Sequence, residues 1–337
     1  MRMRYALVAA GALVMLAGVQ GRAQPADTKA AAVLASARKA LGGEQKITAL
    51  KTLSIRGTYR RETSVPGGGG GGAVFITMSG PGPGGPSGQS TGDIEIDVEL
   101  PDKYIKVDNG TGMMAMTRTE GFEGDRPFTD VSGTQPGMRI VVDNPAKNPE
   151  MRPLALKRSR EELARLLLGV IAGTQPSFPV TFSYAGQAES PDGKADVLDV
   201  KGPDGFATRL FLDAGTHLPL MLTYTGPEPR IVMRTETAPP AGKRTEGAGH
   251  GGGSAGEQAA LSPEEQARMA REMRDASAAP PKMVEFRVFF TDYREVAGLQ
   301  LPHHITRGTA DKTTEEWEIK SYKVNPTLKA DRFKVGS

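Results

Sequence analysis

Four histidines, His217, His250, His303 and His304, are the residues best suited to acid–base or metal chemistry in this chain. His217 and the His303-His304 pair each follow an apolar stretch ending in Asp213 or Asp292. Together they would supply the imidazoles and carboxylates of a metal-assisted hydrolase. The spacing works against it. Adjacent residues of a strand point to opposite faces, so His303 and His304 cannot bind one ion from one side. His250 lies in a glycine tract. Gly252-Gly253-Ser254-Ala255-Gly256 matches a G-x-S-x-G elbow by letter, but it lacks the strand before it and the helix after it that would expose a nucleophile. No phosphate-binding loop is present. The chain contains no cysteine, which excludes disulfides, thiolate catalysis and cysteine metal ligands. The expectation is therefore a protein that is not an enzyme, with no catalytic residue, no metal and no cofactor.

The elements around these residues are more informative. Leu210–Tyr224 (LFLDAGTHLPLMLTY) and Phe289–Thr306 (FFTDYREVAGLQLPHHIT) repeat one design: strand, Asp, turn, Leu-Pro, strand. Proline has no amide to donate, so it is expected at a strand's first residue or on an edge. Asp93–Leu100 alternates strictly, with Ile94, Ile96 and Val98 on one face and Asp93, Glu95, Asp97 and Glu99 on the other. Such a strand has one face buried and one wet. A first helix spans 27–41, capped by Asp27 or Thr28 and stopped by Gly42-Gly43. A second begins at the capping box Ser159-Arg160-Glu161-Glu162 and carries the stripe Leu163, Leu166, Leu167, Val170 and Ile171. Gly-rich loops are expected at 65–72 and 80–92, and a polar, partly helical insertion at 238–282.

Strands follow strands without βαβ alternation. The expected fold class is α+β: a strongly curved antiparallel sheet, an incomplete barrel of roughly ten or more strands, with helices on its concave side. Leu163, Leu166, Leu167 and Val170 of the second helix could face Phe182, Tyr184, Leu220, Leu222, Phe286 and Val288 of the strands. These ten residues could line a ligand cavity or make an ordinary packed core.

The N-terminus sets the compartment. A basic start, the apolar run Tyr5–Val19 and the small residues of Gly21-Arg22-Ala23 form a secretory signal peptide, 1–23, cleaved after Ala23. The run is too short to span a bilayer. The remainder, 24–337, reads as one domain in the periplasm or secreted, without a lipoprotein cysteine. Arg2, Arg4 and Arg22 account for the whole excess of 42 basic over 39 acidic residues. The processed chain would be formally neutral, which argues against nucleic-acid binding driven by net charge.

The order of elements resembles a known family. The helix ending Leu41-Gly42-Gly43, the strand Leu53–Tyr59, the D-x-x-T-x-LP and D-Y-R-x-V-x-G-L-x-LP turns, and the close Tyr322-Lys323-Val324-Asn325-Pro326 with Phe333 are similar to periplasmic proteins of the LolA/LolB-like fold, the outer-membrane lipoprotein-sorting-like group. The resemblance implies an apolar hollow that holds a lipid, with the helix 159–171 as its lid. It equally admits a regulatory module that binds an envelope protein through a sheet edge or the insertion.

Overall fold

The computed structural model describes residues 26–62, 73–79, 89–111, 115–133, 138–141, 149–191, 193–228, 230–236, 268, 282–309 and 312–334. The signal peptide, the loop at 65–72 and all but Arg268 and Lys282 of 238–282 lie outside them.

The main body is a twelve-stranded sheet in which all the pairings are antiparallel. Its strands are β1 (Thr52–Glu62), β3 (Gln89–Glu99), β4 (Lys103–Thr111), β5 (Thr117–Glu123), β6 (Arg126–Ser132), β8 (Thr181–Ser190), β9 (Gly193–Lys201), β10 (Ala207–Asp213), β11 (Pro219–Pro227), β13 (Met283–Val296), β14 (Leu299–Thr309) and β15 (Lys312–Val324). The order across it is β6-β5-β4-β3-β1-β15-β14-β13-β11-β10-β9-β8, open at β6 and β8. A separate three-stranded sheet pairs β2 (Ala73–Ser79) with β12 (Arg230–Glu236) in parallel and with β7 (Met138–Val141) antiparallel. The parallel pair departs from the all-antiparallel expectation.

Among the described residues, the helices beside the sheets are α1 (Ala26–Ala40), the short α2 (Glu44–Thr48) and α3 (Arg152–Ile171). α1 opens just before the caps expected at Asp27 or Thr28 and lies on β8. α3 touches β5 and β6 at one side of the sheet and β10, β11 and β14 toward the other. At about 4.8 Å per strand, nine spacings from β6 to β10 would span about 43 Å if flat. A 20-residue helix is about 30 Å long. The sheet must therefore curve around α3, which occupies its concave side.

Several boundaries differ from the sequence reading. α3 begins seven residues before Ser159, so the capping box is helix interior. Pro153 starts the helix instead, where a missing amide costs nothing. β3 begins at Gln89 inside the expected loop 80–92, whose residues 80–88 lie outside the described ones. β5 and β6 occupy a stretch in which alternation is weak. The two strands read at 314–319 and 321–324 are one strand, β15. Its pairing with β1 skips Lys320, because Arg56 faces Ser321 and Gly57 faces Ile319. Pro219 does open β11, but Pro302 lies inside β14. It is tolerated there because β15 pairs with β14 only from His304 onward.

Candidate functional site

The concave side has an apolar half and an ionic half, and α3 crosses both. In the apolar half Leu163, Leu167 and Val170 are fully buried and Leu166 nearly so, packed in one core with Leu222, Phe286 and Val288. Gly169 is the contact point. A Cβ there would sit 2.0 Å from the ring of Phe290 on β13, so only glycine lets the helix approach this closely. The Tyr293 hydroxyl reaches both Gly169 O, at 3.2 Å, and Pro219 O, at 2.7 Å, tying α3 to β11 and β13.

The ten residues named from sequence do not all meet. Phe182 and Tyr184 pack half-buried against the same core from the edge strand β8, on which α1 lies, with Lys29 over the Tyr184 ring and Asp196 on its hydroxyl. Leu220 is exposed and lies outside the core. The pairing of β10 with β11 runs Phe211 to Met221 and then Leu212 to Pro219, so Leu220 is bulged out. The bulge reverses the alternation, and Pro219, Leu222 and Tyr224 turn inward instead.

The ionic half was not anticipated. Eight charged side chains form an unbroken alternating chain beneath the middle of α3: Asp108, Arg61, Glu315, Arg307, Glu162, Lys106, Glu120 and Arg118. Arg61 binds Asp108 at 3.0 Å and Glu315 at 2.5 Å. Arg307 stands 3.8 Å from Glu315 and 3.9 Å from Glu162. Lys106 Nζ, with no exposure to solvent, lies 3.1 Å from Glu162 and 3.2 Å from Glu120, and Arg118 closes on Glu120 at 2.7 Å.

Strand register produces this chain. Lys106 faces Glu120 across β4 and β5, Asp108 faces Arg118, and Glu315 faces both Arg61 and Arg307. β3 lies between β1 and β4, so Arg61 reaches Asp108 across it. A Cβ at Gly92 would come within 2.8 Å of the Tyr59 ring. Burial alone would push the Lys106 ammonium down, but the Glu162, Asp108 and Glu120 carboxylates outweigh it and hold it above its ordinary value. Burial likewise opposes ionisation of Glu315, and Arg61, Arg307 and Lys106 override it, holding its carboxyl far below the usual range. Both groups are charged at neutral pH. The chain is not fully satisfied: Arg61 Nε, Asp108 Oδ1 and Arg307 Nη1 are buried without a hydrogen-bond partner.

The residues considered for metal chemistry are dispersed. His303 is buried, with Nδ1 3.0 Å from Leu301 O and its ring edge-on to Tyr322. Asp213 accepts the Gly215 and Thr216 amides of its turn, and His217 sits at φ 63° in the same turn. Asp292 pairs with Arg294. His304 instead meets Glu316 and Glu318 on the convex face, their ligand atoms lying within 4.8 Å of one another. These three could hold a cation, beside an open groove of about 400 Å³ lined in part by Glu316, Glu318, Arg60 and Asp93. Arg60 already pairs with Glu316 and would compete with any ion.

The acidic row of β3 is only partly the wet face it resembles, since Asp93 is exposed and Asp97 is not. Asp97 is buried and bound by Ser54, Arg56 and Arg332 at 2.5–2.8 Å, and Glu95 pairs with Arg56 and Arg332. The C-terminal segment bearing Arg332 covers that surface.

No protein-family model matches the chain, and no curated protein matches it in sequence. Among solved structures it is similar to a LolA superfamily protein from Nitrosomonas europaea, at 9% identity and TM-score 0.43, covering 91% of this chain and 97% of that one. It is similar to a DUF1329 family protein from Desulfovibrio piger, at 8% identity and TM-score 0.44, covering 90% and 97%. A putative outer membrane lipoprotein-sorting protein domain from Vibrio parahaemolyticus gives 8% identity and TM-score 0.41, covering 89% and 94%. No helix of the described residues is long and apolar enough to cross a membrane.

Proposed function

We propose that this chain is an exported periplasmic, non-catalytic protein that holds a lipid or other apolar ligand in the hollow of its curved sheet, with α3 as the lid. The observation that carries this reading is the seating of α3. α3 lays a continuous apolar stripe into the concavity beside the small buried face of α1, and at its C-terminal end the Tyr293 hydroxyl, the Gly169 contact and Arg38 Nε on Ala172 O hold it. Displacing that stripe would expose an apolar floor around Leu222, Phe286, Val288 and Phe290. An acyl chain would replace the stripe's contacts at about 0.8 kcal/mol per buried methylene. The signal peptide expected at 1–23 supports the compartment.

The test is native mass spectrometry of protein prepared without detergent, followed by uptake of a fluorescent fatty acid after delipidation. Tyr293→Phe removes the tie to Gly169 and Pro219, at about 1 kcal/mol for one hydrogen bond. Uptake should then be faster, by about fivefold. Absence of co-purified lipid together with no uptake by either protein would end this reading.

A second reading, an interaction module for an envelope protein, has its own observation on the convex face. Val197, Phe211, Met221 and Phe289 are directly paired across β9, β10, β11 and β13, and Phe289 and the bulged Leu220 are exposed. Phe289→Lys should abolish retention of a partner from an envelope extract while leaving fatty-acid uptake unchanged. If retention survives, that surface is not the contact.

A further inference from the structure

Of the eight charges in the ionic chain, seven are carried by the sheet and one, Glu162, by α3. The seven comprise four cations, Arg61, Lys106, Arg118 and Arg307, and three anions, Asp108, Glu120 and Glu315. Glu162 is the only link between Arg307 and Lys106 in that chain. Lifting α3 would therefore remove one carboxylate from between two buried cations. It would leave the floor with an excess positive charge. Arg307 Nη1 already lacks a hydrogen-bond partner with α3 seated, so its donors are under-used even in the closed form. A cation kept out of water without a partner is costly, so an occupant that seals this floor in place of α3 is favoured if it brings an anion to the position of the Glu162 carboxylate.

The next residues of α3 are the apolar stripe. From Glu162 to Ile171 the helix rises about 13 Å, with the carboxylate at one end and Leu163, Leu167, Val170 and Ile171 behind it. The occupant of the hollow thus has a charge at one end and an apolar length at the other. We infer that the ligand is an anionic amphiphile whose carboxylate or phosphate head takes the place of the Glu162 carboxylate between Lys106 and Arg307, while its tail takes the place of the α3 stripe. The inference rests on the carrier reading above and adds the chemistry of the ligand to it.

The two can be separated by comparing lauric acid, lauryl phosphate and lauryl alcohol, which share one tail, by calorimetry on the delipidated protein. The acid, the phosphate or both should bind at least about tenfold more tightly than the alcohol, and whichever binds more tightly identifies the head. Glu162→Gln removes the competing carboxylate and should tighten binding of the charged ligands by a larger factor than that of the alcohol, which gains only from the loosened seat of α3. Lys106→Met should erase the preference. Arg307→Gln provides the same test if that variant does not fold. Equal affinity for all three, with Glu162→Gln unchanged, would overturn the anionic head while leaving the carrier reading intact. No binding of any of the three would overturn both.

Discussion

α3 meets the sheet in two different ways along its length. Its second half is a hydrophobic contact set by shape, with Gly169 against Phe290 and Leu163, Leu167 and Val170 among strand side chains. Its middle is an electrostatic contact, in which Glu162 completes a buried chain of charges. Apolar contacts are non-directional and can be exchanged for those of another apolar body. Buried ion pairs cannot be loosened singly, because each group left behind is a charge without a solvent. The apolar contacts therefore suit exchange, and the ionic contact fixes where α3 sits.

The largest effect should come from breaking the ionic half. Lys106→Met leaves Glu120 and Glu162 buried without their shared cation and should cost about 3–5 kcal/mol in urea unfolding. Adding Glu162→Leu should recover part of that loss, since an apolar pair replaces a half-broken ionic one. If the double variant is no more stable than Lys106→Met, the two halves are not as different as their geometry indicates.

Acid sharpens the same contrast. Glu315 and Glu120 titrate in the folded protein below their ordinary value of 4.5. A carboxyl with a depressed folded pKa adds stability that is complete above the unfolded value and fades as pH falls toward the folded one. Thermal unfolding from pH 7 downward should show steady stability to about pH 5 and a steep loss below it. A Glu162→Leu/Lys106→Met protein should lose less over the same range. Parallel profiles would show that the acid sensitivity arises elsewhere, for instance at Asp97, which Arg56, Ser54 and Arg332 hold ionised against its burial.

In the apolar half, Gly169→Ala forces a methyl group into the Phe290 ring. Overpacking of this kind costs about 1–3 kcal/mol. The unfolding midpoint should fall, and fatty-acid uptake should quicken because the seated form of α3 is penalised. Gly169→Ala with Phe290→Leu should restore seating if that ring is the obstacle.

The apolar half was largely legible in the sequence, and the ionic half was not. A stripe at Leu163, Leu166, Leu167 and Val170 is a helix face whatever surrounds it, and Ile94, Ile96 and Val98 announce their strand by alternation. Lys106 and Asp108 alternate in the same way with Ile105 and Val107, and hydropathy assigns the charged set to water. Both sets are buried here. The apolar set packs with Phe128 and Phe333, and the charged set lies under α3. Which charges meet depends on partners such as Glu315 opposite Arg61, some 250 positions away in sequence, and a pattern confined to one strand cannot contain that information. The same reason hid His304 with Glu316 and Glu318. Each strand alone offers one imidazole or two alternate carboxylates, and only register joins them.

The smallest expected effect tests the bulge that overturned one residue of the apolar set. Leu220 and Leu222 are two apart on β11, and an unbroken strand would place them on one face. With Leu220 bulged, Leu222 is buried and Leu220 is 37% exposed. Leu222→Ala should cost about 2–5 kcal/mol through the lost contacts and the cavity left in the core. Leu220→Ala should change stability by no more than about 0.5 kcal/mol, as surface substitutions do. Leu220→Lys should be tolerated as well, since its ammonium would point into water from the convex face. A loss of stability for Leu220→Lys comparable to that of Leu222→Ala would mean that the strand runs without the bulge in solution, which would return Leu220 to the wall of the hollow.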